Sequence, residues 1–454
     1  MNLIPTRKGR FFDIPDWKEQ YARKKVSSEE AASLICDGDN IACSGGGTWP
    51  QLFDAALAGY VQNTGYRVAV QSLYMLQTPA ILAPECRDFI TFRSGFFGAE
   101  RNLTAQGNVE FVPIHLGATG AFHRIRKPRV VVMAVSPPDK SGWMSRSIWG
   151  THLHRQVFED ASCEILIAEI NRQLPYLHSD GDRHTMVHVS EVDYITEGSY
   201  AWPESKSIET TEVERRIAGY AAELIPDGAC IQLGFGGLAN AIGGQLLDSN
   251  CHDLGLQTEV LTNCIAKLMQ AGIINNSRKT LCPGRSTASA IVGDKALWDF
   301  CNDNPSICMK EIDWVNHPVN IAKNDQVVSI NSAMEIDLTG QVAAEAIGTR
   351  QYTGTGGQLQ WVVGSQWSRG GKSVLALTST YRDRKTGALC SKIKPFFDAG
   401  TIITTPRTCV QYVITEYGVA DLRYRSTRER ARLLSSIAHP DFRAELRRAA
   451  ERIC

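Results

Sequence analysis

Two stretches of the sequence carry residue types that could do chemistry. Residues 234–239 read GFGGLA and follow an apolar run that is typical of a strand. Glu259 lies 20 residues beyond Ala239, in the middle of the strand-like stretch GLQTEVLTN. Acidic side chains are depleted in strands and are seldom fully buried without a partner. The carboxylate therefore needs an explanation, either in ligand binding or in catalysis.

One interpretation is a dinucleotide-binding turn. The stretch fits G-x-G-x-x-A, and Glu259 lies near the position where an acid would hold a ribose hydroxyl. Two details disfavour a nicotinamide enzyme: Gln257 and Thr258 precede the acid where apolar residues are expected, and a degenerate copy of the motif stands earlier in the chain. Alternatively, the glycine stretch has only a structural role, as a tight turn that packs a helix on a strand, and Glu259 is a surface glutamate.

The second interpretation is a carboxylate nucleophile. Water stabilises the charge of a carboxylate, so partial removal from water lets it attack an activated acyl group and form a covalent intermediate. Thioesters are suitable targets, because an acyl–glutamyl anhydride is comparable to them in energy. Backbone amides of the glycine turn could hold the developing oxyanion. The sequence contains neither GxSxG nor HExxH, so these other hydrolytic motifs give no competing site.

The chain alternates short apolar runs with helical patterns, which predicts an α/β fold with mainly parallel sheets. The runs lie at 130–136, 164–170, 229–235, 373–379 and 410–416. A polar, aperiodic stretch from about residue 195 to 212 is typical of a linker. We therefore expect two similar open α/β domains, residues 1–200 and 201–454, with Glu259 in the second.

An internal repeat supports this division. Residues 37–56 and 227–246 both begin with Asp-Gly and continue with an apolar strand, a glycine-rich turn and a helical stretch, at an offset of 190 residues. A helical pattern precedes each copy, and Ser27 with Glu30 fits a capping box in the first. Continued without gaps, the offset pairs Ala69 with Glu259. The first copy then lacks the carboxylate, so folding alone does not require it.

Composition narrows the class of protein. A length of 454 residues, with 43% hydrophobic and 21% charged residues, is ordinary for a two-domain globular protein. Lys+Arg and Asp+Glu are both 48, which disfavours nucleic acid or a membrane as partner. There is no signal-peptide pattern and no apolar run of membrane-spanning length. The 13 cysteines include no CxxC pair, which predicts reduced thiols, a cytoplasmic location and no structural metal site.

Six motifs, in order, resemble those of the acetyl-CoA hydrolase/transferase family, a group of class I CoA-transferase type that includes 4-hydroxybutyrate CoA-transferase. The similarity runs from about Asp16 to the last helix. The motifs are VSPPDKSGW (135–143), AEINRQLP (168–175), MVHVSEVDY (186–194), VVSINSAMEIDLTGQVAAEAIG (327–348), TGTGGQLQW (353–361) and VITEYGVADLRYRSTRERARLLSSIAHPDF (413–442).

The resemblance implies a function as well as a fold. The stretch GLQTE at 255–259 matches the family's G-I-H-[ST]-E segment, whose glutamate becomes a glutamyl-CoA thioester, so Glu259 is the implied catalytic residue. The implied reaction is ping-pong transfer of CoA from a donor acyl-CoA to an acceptor carboxylic acid. CoA is then both substrate and covalent intermediate, and no prosthetic group or metal is expected. A homodimer or a higher homo-oligomer is also implied.

The resemblance further implies a CoA site, mainly on the second domain. A structural role stays open for each residue: close packing for glycines, satisfaction of local backbone groups for asparagine, an exposed position for lysine. The implied CoA-binding residues are Gly234, Phe235, Gly236, Gly237, Leu238, Asn331, Met334, Gly356, Gly357, Gln358 and, for a phosphate, Lys372.

Departures from the family pattern bear on the acyl group. GQLQW at 357–361 stands where GQVDF is common, and an acidic residue is lost. We expect a reshaped pocket for an acyl group that is bulkier or more apolar than acetate, with core packing as the alternative for the tryptophans. Glu416 could instead orient substrate, raise the pKa of Glu259 or pair with an arginine. The residues of this predicted pocket are Trp49, Trp143, Gln360, Trp361 and Glu416.

Two other functions remain open. An acyl-CoA hydrolase would discharge the same glutamyl intermediate to water. A CoA- or nucleotide-binding protein without turnover would use Glu259 only as a polar contact. The transferase and the hydrolase differ in water exclusion and acceptor binding, which these motifs do not encode.

Overall fold

The computed structural model describes residues 16–179, 183–201, 204 and 209–453. The chain forms two compact units. The first unit comprises Met1–Ser205 together with Ala288–Trp314, and the second comprises Lys206–Thr287 together with Val315–Cys454. No helix among the described residues is long and apolar enough to cross a membrane.

Helices and strands alternate along the chain as predicted. Up to Gly198 the elements are α1 (Trp17–Lys24), α2 (Ser28–Ala32), β1 (Asn40–Cys43), α3 (Gln51–Thr64), β2 (Val68–Ser72), β3 (Ile90–Ser94), β4 (Val109–Phe111), α4 (Thr119–Arg124), β5 (Val130–Val135), β6 (Trp143–Ser145), α5 (Arg155–Glu159), β7 (Ile165–Asn171), β8 (Met186–His188) and β9 (Tyr194–Gly198).

The elements after Thr211 continue the alternation. They are α6 (Glu212–Ala222), β10 (Cys230–Leu233), α7 (Gly237–Leu247), β11 (Gly255–Thr262), α8 (Asn263–Gln270), β12 (Ser286–Val292), α9 (Lys295–Cys301), β13 (Ile307–Met309), α10 (Ile312–Val315), α11 (Pro318–Ala322), β14 (Val327–Ser332), β15 (Glu335–Asp337), β16 (Val342–Ala343), β17 (Ala346–Ile347), β18 (Arg350–Gln351), α12 (Gln358–Trp367), β19 (Lys372–Ala376), β20 (Thr380–Arg382), β21 (Leu389–Ser391), β22 (Ile393–Lys394), β23 (Tyr412–Thr415), β24 (Gly418–Asp421), α13 (Thr427–Ser436) and α14 (Pro440–Ala450).

The first unit is built on a parallel sheet with strand order β4-β3-β2-β1-β5-β7-β9. Every residue of β5, VVVMAV, is buried, as expected for a parallel strand that is covered on both faces. The strand β1 has β2 on one side and β5 on the other, so the direction of winding reverses at β1. Open sheets of this kind bind ligands beyond the carboxyl ends of the strands at such a reversal.

The second unit repeats this arrangement. Its strands run in the order β11-β10-β14-β19-β23-β24, and they are parallel except for the antiparallel pair β23–β24. The strand β10 lies between β11 and β14, just as β1 lies between β2 and β5. The predicted fold class of two similar open α/β domains with mainly parallel sheets is therefore confirmed.

The register of the repeat differs from the ungapped prediction. The strands β1 and β10 correspond at the offset of 190, but Asn40 pairs with Ala69 whereas Cys230 pairs with Gly255. Ala69 thus corresponds to Gly255, and the counterpart of Glu259 is Leu73. The pairing of Ala69 with Glu259 was wrong, because the segment from Asn40 to Ala69 is four residues longer than the segment from Cys230 to Gly255. Leu73 is also apolar and is buried, so the first copy does lack the carboxylate.

The two copies also treat the beginning of the equivalent helix differently. In the first unit, the carboxylate of Glu169 on β7 accepts hydrogen bonds from the backbone N–H groups of Leu52 and Phe53, at 3.1 and 2.8 Å, in the first turn of α3. The hydroxyl of Tyr200 donates a third, at 2.5 Å. In the second unit the N-cap of α7 is Gly236, which has no side chain to cap the helix, and the carboxylate of Glu214 lies against the first helical residue, Gly237. The N-terminus of α3 is therefore satisfied internally.

The segment Ala288–Trp314 belongs to the first unit, whereas the predicted boundary near residue 200 assigned it to the second domain. Contacts within the first unit account for the difference. The guanidinium of Arg146 lies 2.7 Å from the carboxylate of Glu311, and the backbone N–H of Ile291 donates to the carbonyl of Ile148 at 2.8 Å. The amino-acid composition does not show where a chain leaves a domain and later returns to it.

The buried pair of Arg146 and Glu311 gives a test of this assignment. Both side chains are at most 4% exposed, and removing Arg146 leaves the buried carboxylate of Glu311 with His154 and His184 as its remaining charged partners, so the cost lies at the lower end of about 3–5 kcal/mol for a broken buried pair. We expect Arg146→Met to lower the free energy of unfolding by about 3 kcal/mol in urea titrations. Lys295→Met serves as the control, because its ion pair with Asp299 is exposed. Equal stability of the two variants would contradict the prediction.

Candidate active site

Glu259 lies on β11 where the neighbouring strand ends. The paired register of β10 and β11, continued by three residues from Ile231 and Leu256, puts Glu259 beside Gly234. On the other side of β10, the backbone N–H of Gly234 donates to the carbonyl of Ile330 at 3.2 Å. Glu259, Gly234 and Asn331 thus lie at the same level on three adjacent strands, at the carboxyl ends and at the reversal of winding, where ligands bind in sheets of this type.

Two buried side chains hold the carboxylate of Glu259. The side-chain amide of Asn316 donates to its Oε1, and the indole N–H of Trp361 donates to Oδ1 of Asn316 at 3.0 Å. Asn316 and Trp361 are both fully buried. Because an indole nitrogen can only donate, Trp361 requires the oxygen of the amide on its own side and thereby turns Nδ2 towards Glu259. Trp361, Asn316 and Glu259 thus form a chain of hydrogen bonds that fixes the carboxylate, which we call the relay.

Gly357 lies directly against this relay. It precedes the first residue of α12 with an ordinary φ of −99°, so its backbone conformation does not require glycine. A Cβ at this position would overlap both the carboxylate of Glu259 and the amide of Asn316. The sequence assigned Gly357 to CoA binding through its backbone, whereas the structure shows a second reason for glycine: the close approach of the carboxylate.

The environment of Glu259 favours its neutral form. Burial raises the pKa of the carboxyl to about 7, and the hydrogen bond from Asn316 acts in the opposite direction. The side chain is half-buried rather than enclosed, and it lies at the carboxyl edge of the sheet. A carboxylate that is held in place and poorly hydrated is suited to attack an acyl carbon.

The glycine turn before α7 forms the facing side of the site. Gly236 has a φ of +109°, which L side chains rarely adopt, and a Cβ on Gly237 would overlap the carboxylate of Glu214. The turn exposes 47% of Phe235. Since α7 has 11 residues and a glycine as its N-cap, its first N–H groups and its dipole favour a negative group at this end, and the carboxylate of Glu214 already lies against it.

A small cleft joins several of the predicted CoA-binding residues. Its lining comes from the ends of β10 and β14 and from the first turns of α7, and it includes Gly234, Leu238 and Asn331. Asn331 exchanges two side-chain hydrogen bonds with the buried Gln232, at 3.1 and 3.3 Å. The structure thus brings these three residues together at the carboxyl edge, beside Glu259.

Family models match the chain on both sides of this site. The acetyl-CoA hydrolase/transferase N-terminal domain matches residues 10–200, and the acetyl-CoA hydrolase/transferase C-terminal domain matches residues 293–450. The chain belongs to the acetyl-CoA hydrolase/transferase family. The resemblance of the six sequence motifs to this family is therefore confirmed.

Relatives of the chain match it over nearly its whole length. It is 35% identical over 439 residues to 4-hydroxybutyrate coenzyme A transferase of Clostridium kluyveri, covering 95% of this chain and 98% of that protein. It is 36% identical over 439 residues to succinyl-CoA:cyclohexane-1-carboxylate CoA transferase of Geobacter metallireducens, with 96% and 97% covered. The crystal structure of RipA from Yersinia pestis has a TM-score of 0.87 at 33% identity, with 96% and 99% covered.

Lys372 does not join the site of this acetyl-CoA hydrolase/transferase chain. It pairs with Val328 at the beginning of β19, whereas Asn331 pairs with Leu375, so about 10 Å of strand separates Lys372 from the carboxyl edge. Its ammonium donates to the carbonyl of Leu224 at 2.7 Å, and burial lowers its pKa. The predicted phosphate contact thus lies at the opposite edge of the sheet, where the ammonium bonds a backbone carbonyl.

Gln358 and Glu416 are engaged by the protein. The amide of Gln358 donates to the carbonyl of Ser332 at 2.9 Å and accepts from the hydroxyl of Thr405 at 2.8 Å. The carboxylate of Glu416 accepts from the N–H and the hydroxyl of Ser379, at 2.8 and 2.6 Å. Two of the three predicted roles of Glu416 are not seen: its partner is a serine rather than an arginine, and the raised pKa of Glu259 comes from burial. Orientation of the substrate by Glu416 stays a prediction.

The other predicted residues of the second unit lie on α12, just before α12, or just after β14. Met334 is half-buried, and its N–H donates to the carbonyl of Ala343 at 2.9 Å. Gly356 has a φ of +63°, which explains a glycine in the turn without reference to a ligand. Gln360 is half-buried on α12. Trp361 is fully buried, so it positions Asn316 instead of lining an open pocket.

Trp49 and Trp143 belong to the first unit, and each packs against its own neighbours. Trp49 is 4% exposed and meets the ring of Phe92 edge-on at 6.2 Å. Trp143 lies on β6 and contacts His188 on β8, with ring centroids 5.1 Å apart. These contacts fit core packing, and the assignment of the two tryptophans to an acyl pocket stays a prediction.

Sequence reasoning missed Asn316. This residue lies between α10 and α11, 57 residues after Glu259. The one local signal is the His-Pro pair that follows it. This pair indicates a turn before a helix, but it does not identify the residue to which Asn316 is hydrogen-bonded. Its role depends on a contact between distant parts of the chain.

We expect Asn316→Ala to lower kcat/KM for acyl-CoA by about 10- to 100-fold, as a misplaced catalytic group does. Loss of the N–H donor also raises the pKa of Glu259 further, so the acid limb of the pH–rate profile should move to higher pH. Steady-state kinetics between pH 5.5 and 9 measure both effects. Asn250→Ala, at an exposed position of the same unit, should change neither. An unshifted limb would contradict the relay.

Proposed function

We propose that this enzyme of the CoA-transferase type moves CoA between a donor acyl-CoA and an acceptor carboxylic acid through a glutamyl-CoA thioester on Glu259. The observation that carries the proposal is the carboxylate itself: half-buried, held by Asn316, and beside the uncapped N-terminus of α7. Family membership supports the same reaction class.

In the first half-reaction, a carboxylate oxygen of Glu259 attacks the thioester carbon of the donor. The C–S bond breaks, CoA leaves as a thiolate, and an acyl–glutamyl anhydride remains. The thiolate then attacks the glutamyl carbonyl carbon, which breaks the anhydride C–O bond and releases the donor acid as its carboxylate. Glu259 is left as the CoA thioester, and no net proton is taken up or released.

The second half-reaction is the reverse with another acid. The acceptor carboxylate attacks the glutamyl thioester, releases CoA thiolate and forms a new anhydride. The thiolate attacks the acyl carbon of the acceptor, and the new acyl-CoA leaves with Glu259 restored as a carboxylate. Energy from binding the nucleotide end of CoA, remote from the reacting atoms, can offset the cost of removing Glu259 from water.

The groups around Glu259 support this chemistry in distinct ways. Backbone N–H groups of the turn from Gly234 to Gly237 can stabilise a developing oxyanion. Asn316 keeps one carboxylate oxygen fixed, so the other one carries out the attack. Gly357 leaves the space that the carboxylate occupies. These roles for the CoA-contacting glycines, together with Phe235, Leu238 and Asn331, are part of the proposal.

The reaction should depend on pH through Glu259. The attacking form is the carboxylate, and its pKa of about 7 means that the ionised fraction falls as the pH drops below 7. We expect kcat/KM at pH 6 to be about one tenth of its value at high pH. Values of kcat/KM measured from pH 5.5 to 9 at constant ionic strength test this expectation. A flat profile down to pH 5.5 would contradict the raised pKa.

Trapping the intermediate tests the proposal directly. The protein is incubated with acyl-CoA without acceptor, treated with borohydride or hydroxylamine, digested and mapped by mass. The modified peptide should contain Glu259, and the label should be absent when acyl-CoA is withheld. An unmodified Glu259 with thioester cleavage intact would overturn the mechanism. A protein that only binds CoA or nucleotide would give neither label nor turnover.

Both enzymes would form the trapped intermediate, so a second experiment separates the transferase from the hydrolase. With a panel of carboxylic acids as acceptors, a transferase forms new acyl-CoA in proportion to the acceptor, whereas a hydrolase releases free CoA at the same rate without it. Light scattering on the same preparation measures the expected homodimer or higher homo-oligomer.

A further inference from the structure

Gln257 is a buried polar residue for which the proposed reaction gives no direct role. It lies on β11, two residues before Glu259, and the two side chains point to the same face because side chains alternate along a strand. Gln257 is only 1% exposed, and polar groups that are buried to this extent are hydrogen-bonded in native proteins. The partners of Gln257 therefore indicate what this residue does.

Gln257 takes part in a chain of hydrogen bonds within the second unit. Its amide nitrogen donates to the carbonyl of Val315 at 2.9 Å, and its amide oxygen accepts from the side-chain nitrogen of Asn324 at 2.8 Å. The oxygen of the Asn324 side chain accepts from the backbone N–H of Leu281 at 2.9 Å. Because Asn324 is also fully buried, these bonds are shielded from water and are stronger than exposed ones.

Backbone groups at the two ends fix the direction of this chain of bonds. The N–H of Leu281 can only donate, so the oxygen of the Asn324 amide faces it and the nitrogen faces Gln257. The carbonyl of Val315 can only accept, so the nitrogen of the Gln257 amide must be on its side. Turning either amide round would leave buried groups unpaired, which is costly.

The carbonyl that Gln257 holds belongs to the residue before Asn316. Asn316 lies in the turn between α10 and α11, which have only four and five residues. Helices this short do not keep their position without tertiary contacts. Val315 is also the first residue of the second unit where the chain returns from Ala288–Trp314. The bond from Gln257 thus fixes the backbone of the second unit directly beside Asn316.

Gln257 and Glu259 hold the turn at two points from a single strand. The connection runs from β11 through Gln257 to Val315, along the backbone to Asn316, and back through the amide of Asn316 to the carboxylate of Glu259. Two residues of an extended strand span about 7 Å, so β11 sets the distance between the two hydrogen bonds. The closed ring limits how far Asn316 can move from the carboxylate.

Given the proposed role of Glu259 as nucleophile, we propose that Gln257 is a positioning residue for it: by binding the carbonyl of Val315, Gln257 keeps Asn316 where its amide can fix the carboxylate. Asn324 sets the orientation of the Gln257 amide. This role explains why β11 carries a polar residue at a fully buried position.

Gln257→Met tests this role, because methionine fills a similar space and has no hydrogen-bond donor. We expect kcat/KM for acyl-CoA to fall about 10-fold, since the nucleophile is then less well placed. A displaced Asn316 also donates less well to Glu259, which raises the pKa of Glu259, so the acid limb of the pH–rate profile should move to higher pH. Gln270→Met, at the exposed end of α8, should change neither.

A double-mutant cycle separates positioning from a general loss of structure. If Gln257 acts through Asn316, Gln257→Met should lower kcat/KM by less than about twofold in a protein that already carries Asn316→Ala. Gln257→His should recover most of the loss, because the Nε2 of histidine lies as many bonds from the backbone as the glutamine nitrogen and can donate. If a thermal melt shows Gln257→Met unfolded, Gln257→Asn replaces it, since its amide is one methylene too short for the same bond.

Chemical modification reports on Glu259 without turnover. A water-soluble carbodiimide with an added amine modifies protonated carboxyl groups, and mass mapping gives the modified fraction of Glu259 at each pH. The midpoint of this titration should lie at higher pH in Gln257→Met and in Asn316→Ala than in the unaltered protein. The double variant should show the same midpoint as Asn316→Ala alone.

Three results would overturn the proposal. They are an unshifted titration midpoint in Gln257→Met, losses that add fully in the double variant, and equal activities of Gln257→Met and Gln270→Met. Failure of the proposed function looks different: acyl-CoA then leaves no label on Glu259 of the unaltered protein. In that case the carbodiimide titration still decides whether Gln257 positions Asn316 against the carboxylate.

Discussion

Replacing Glu259 by glutamine is expected to abolish CoA transfer while the protein stays folded. The amide has the shape of the carboxyl group, and its oxygen can still accept from Asn316. It lacks the negative oxygen that attacks the thioester, so the covalent path through a glutamyl intermediate is closed. Removing a nucleophile that acts in a covalent pathway costs several orders of magnitude, and we expect kcat/KM to fall by at least about 10⁴-fold.

Steady-state formation of the new acyl-CoA, with an acetyl-CoA or larger acyl-CoA donor, measures this loss. Glu223→Gln is the matched control, because Glu223 is exposed at the end of α6, and it should keep full activity. Thermal unfolding of both variants should resemble that of the unaltered protein. A Glu259→Gln protein with more than about one tenth of normal activity, free of contaminating deamidated enzyme, would rule out the nucleophile.

Replacing Gly357 by alanine should have the second largest effect. The added methyl group would occupy the space of the Glu259 carboxylate and of the Asn316 amide, and neither can stay where it is. Because Trp361 is fully buried and holds Asn316, the amide has little room to retreat and the carboxylate must move. A misplacement of about 1 Å costs about 100-fold in rate, so kcat should fall by at least about 100-fold.

Gly244→Ala is a control of the same chemistry. Gly244 lies inside α7, and nothing is within 4 Å of the position of its Cβ. Alanine in a helix interior stabilises by up to about 1 kcal/mol relative to glycine, so this variant should be active and slightly more stable. Equal activities of the two alanine variants would show that Gly357 is not needed for the position of Glu259.

The fold was predictable because its signals are local. Apolar runs that alternate with helical patterns determine the class, and the Asp-Gly copies mark the two sheets. The register was not predictable: the connection from β1 to β2 is four residues longer than the connection from β10 to β11, and the ungapped repeat therefore assigned Ala69 where Leu73 lies. No local pattern reports that the chain returns to its first unit at Ala288–Trp314.

The residues of the candidate site also divide into those that the sequence could identify and those that it could not. Glu259 and Asn331 lie on their strands and Gly234 follows one, all at the same edge of the sheet, so motif and topology together could identify them. Asn316 could not be identified, since its part depends on Glu259 and Trp361, which lie 57 and 45 residues away in the chain. Lys372 was chosen for its charge, but its place at the beginning of β19 removes it from the site. The charge of a residue predicts a ligand contact only when it is also known at which end of its strand the residue lies.

The hydrogen bonds from α3 to Glu169 have a consequence for where an anion could bind in the first unit. A helix N-terminus attracts an anion through N–H groups that have no partner in the helix. Glu169 takes up the N–H groups of Leu52 and Phe53 with a carboxyl group of the protein itself. An anion from outside would therefore have to displace Glu169 before it could use this helix end.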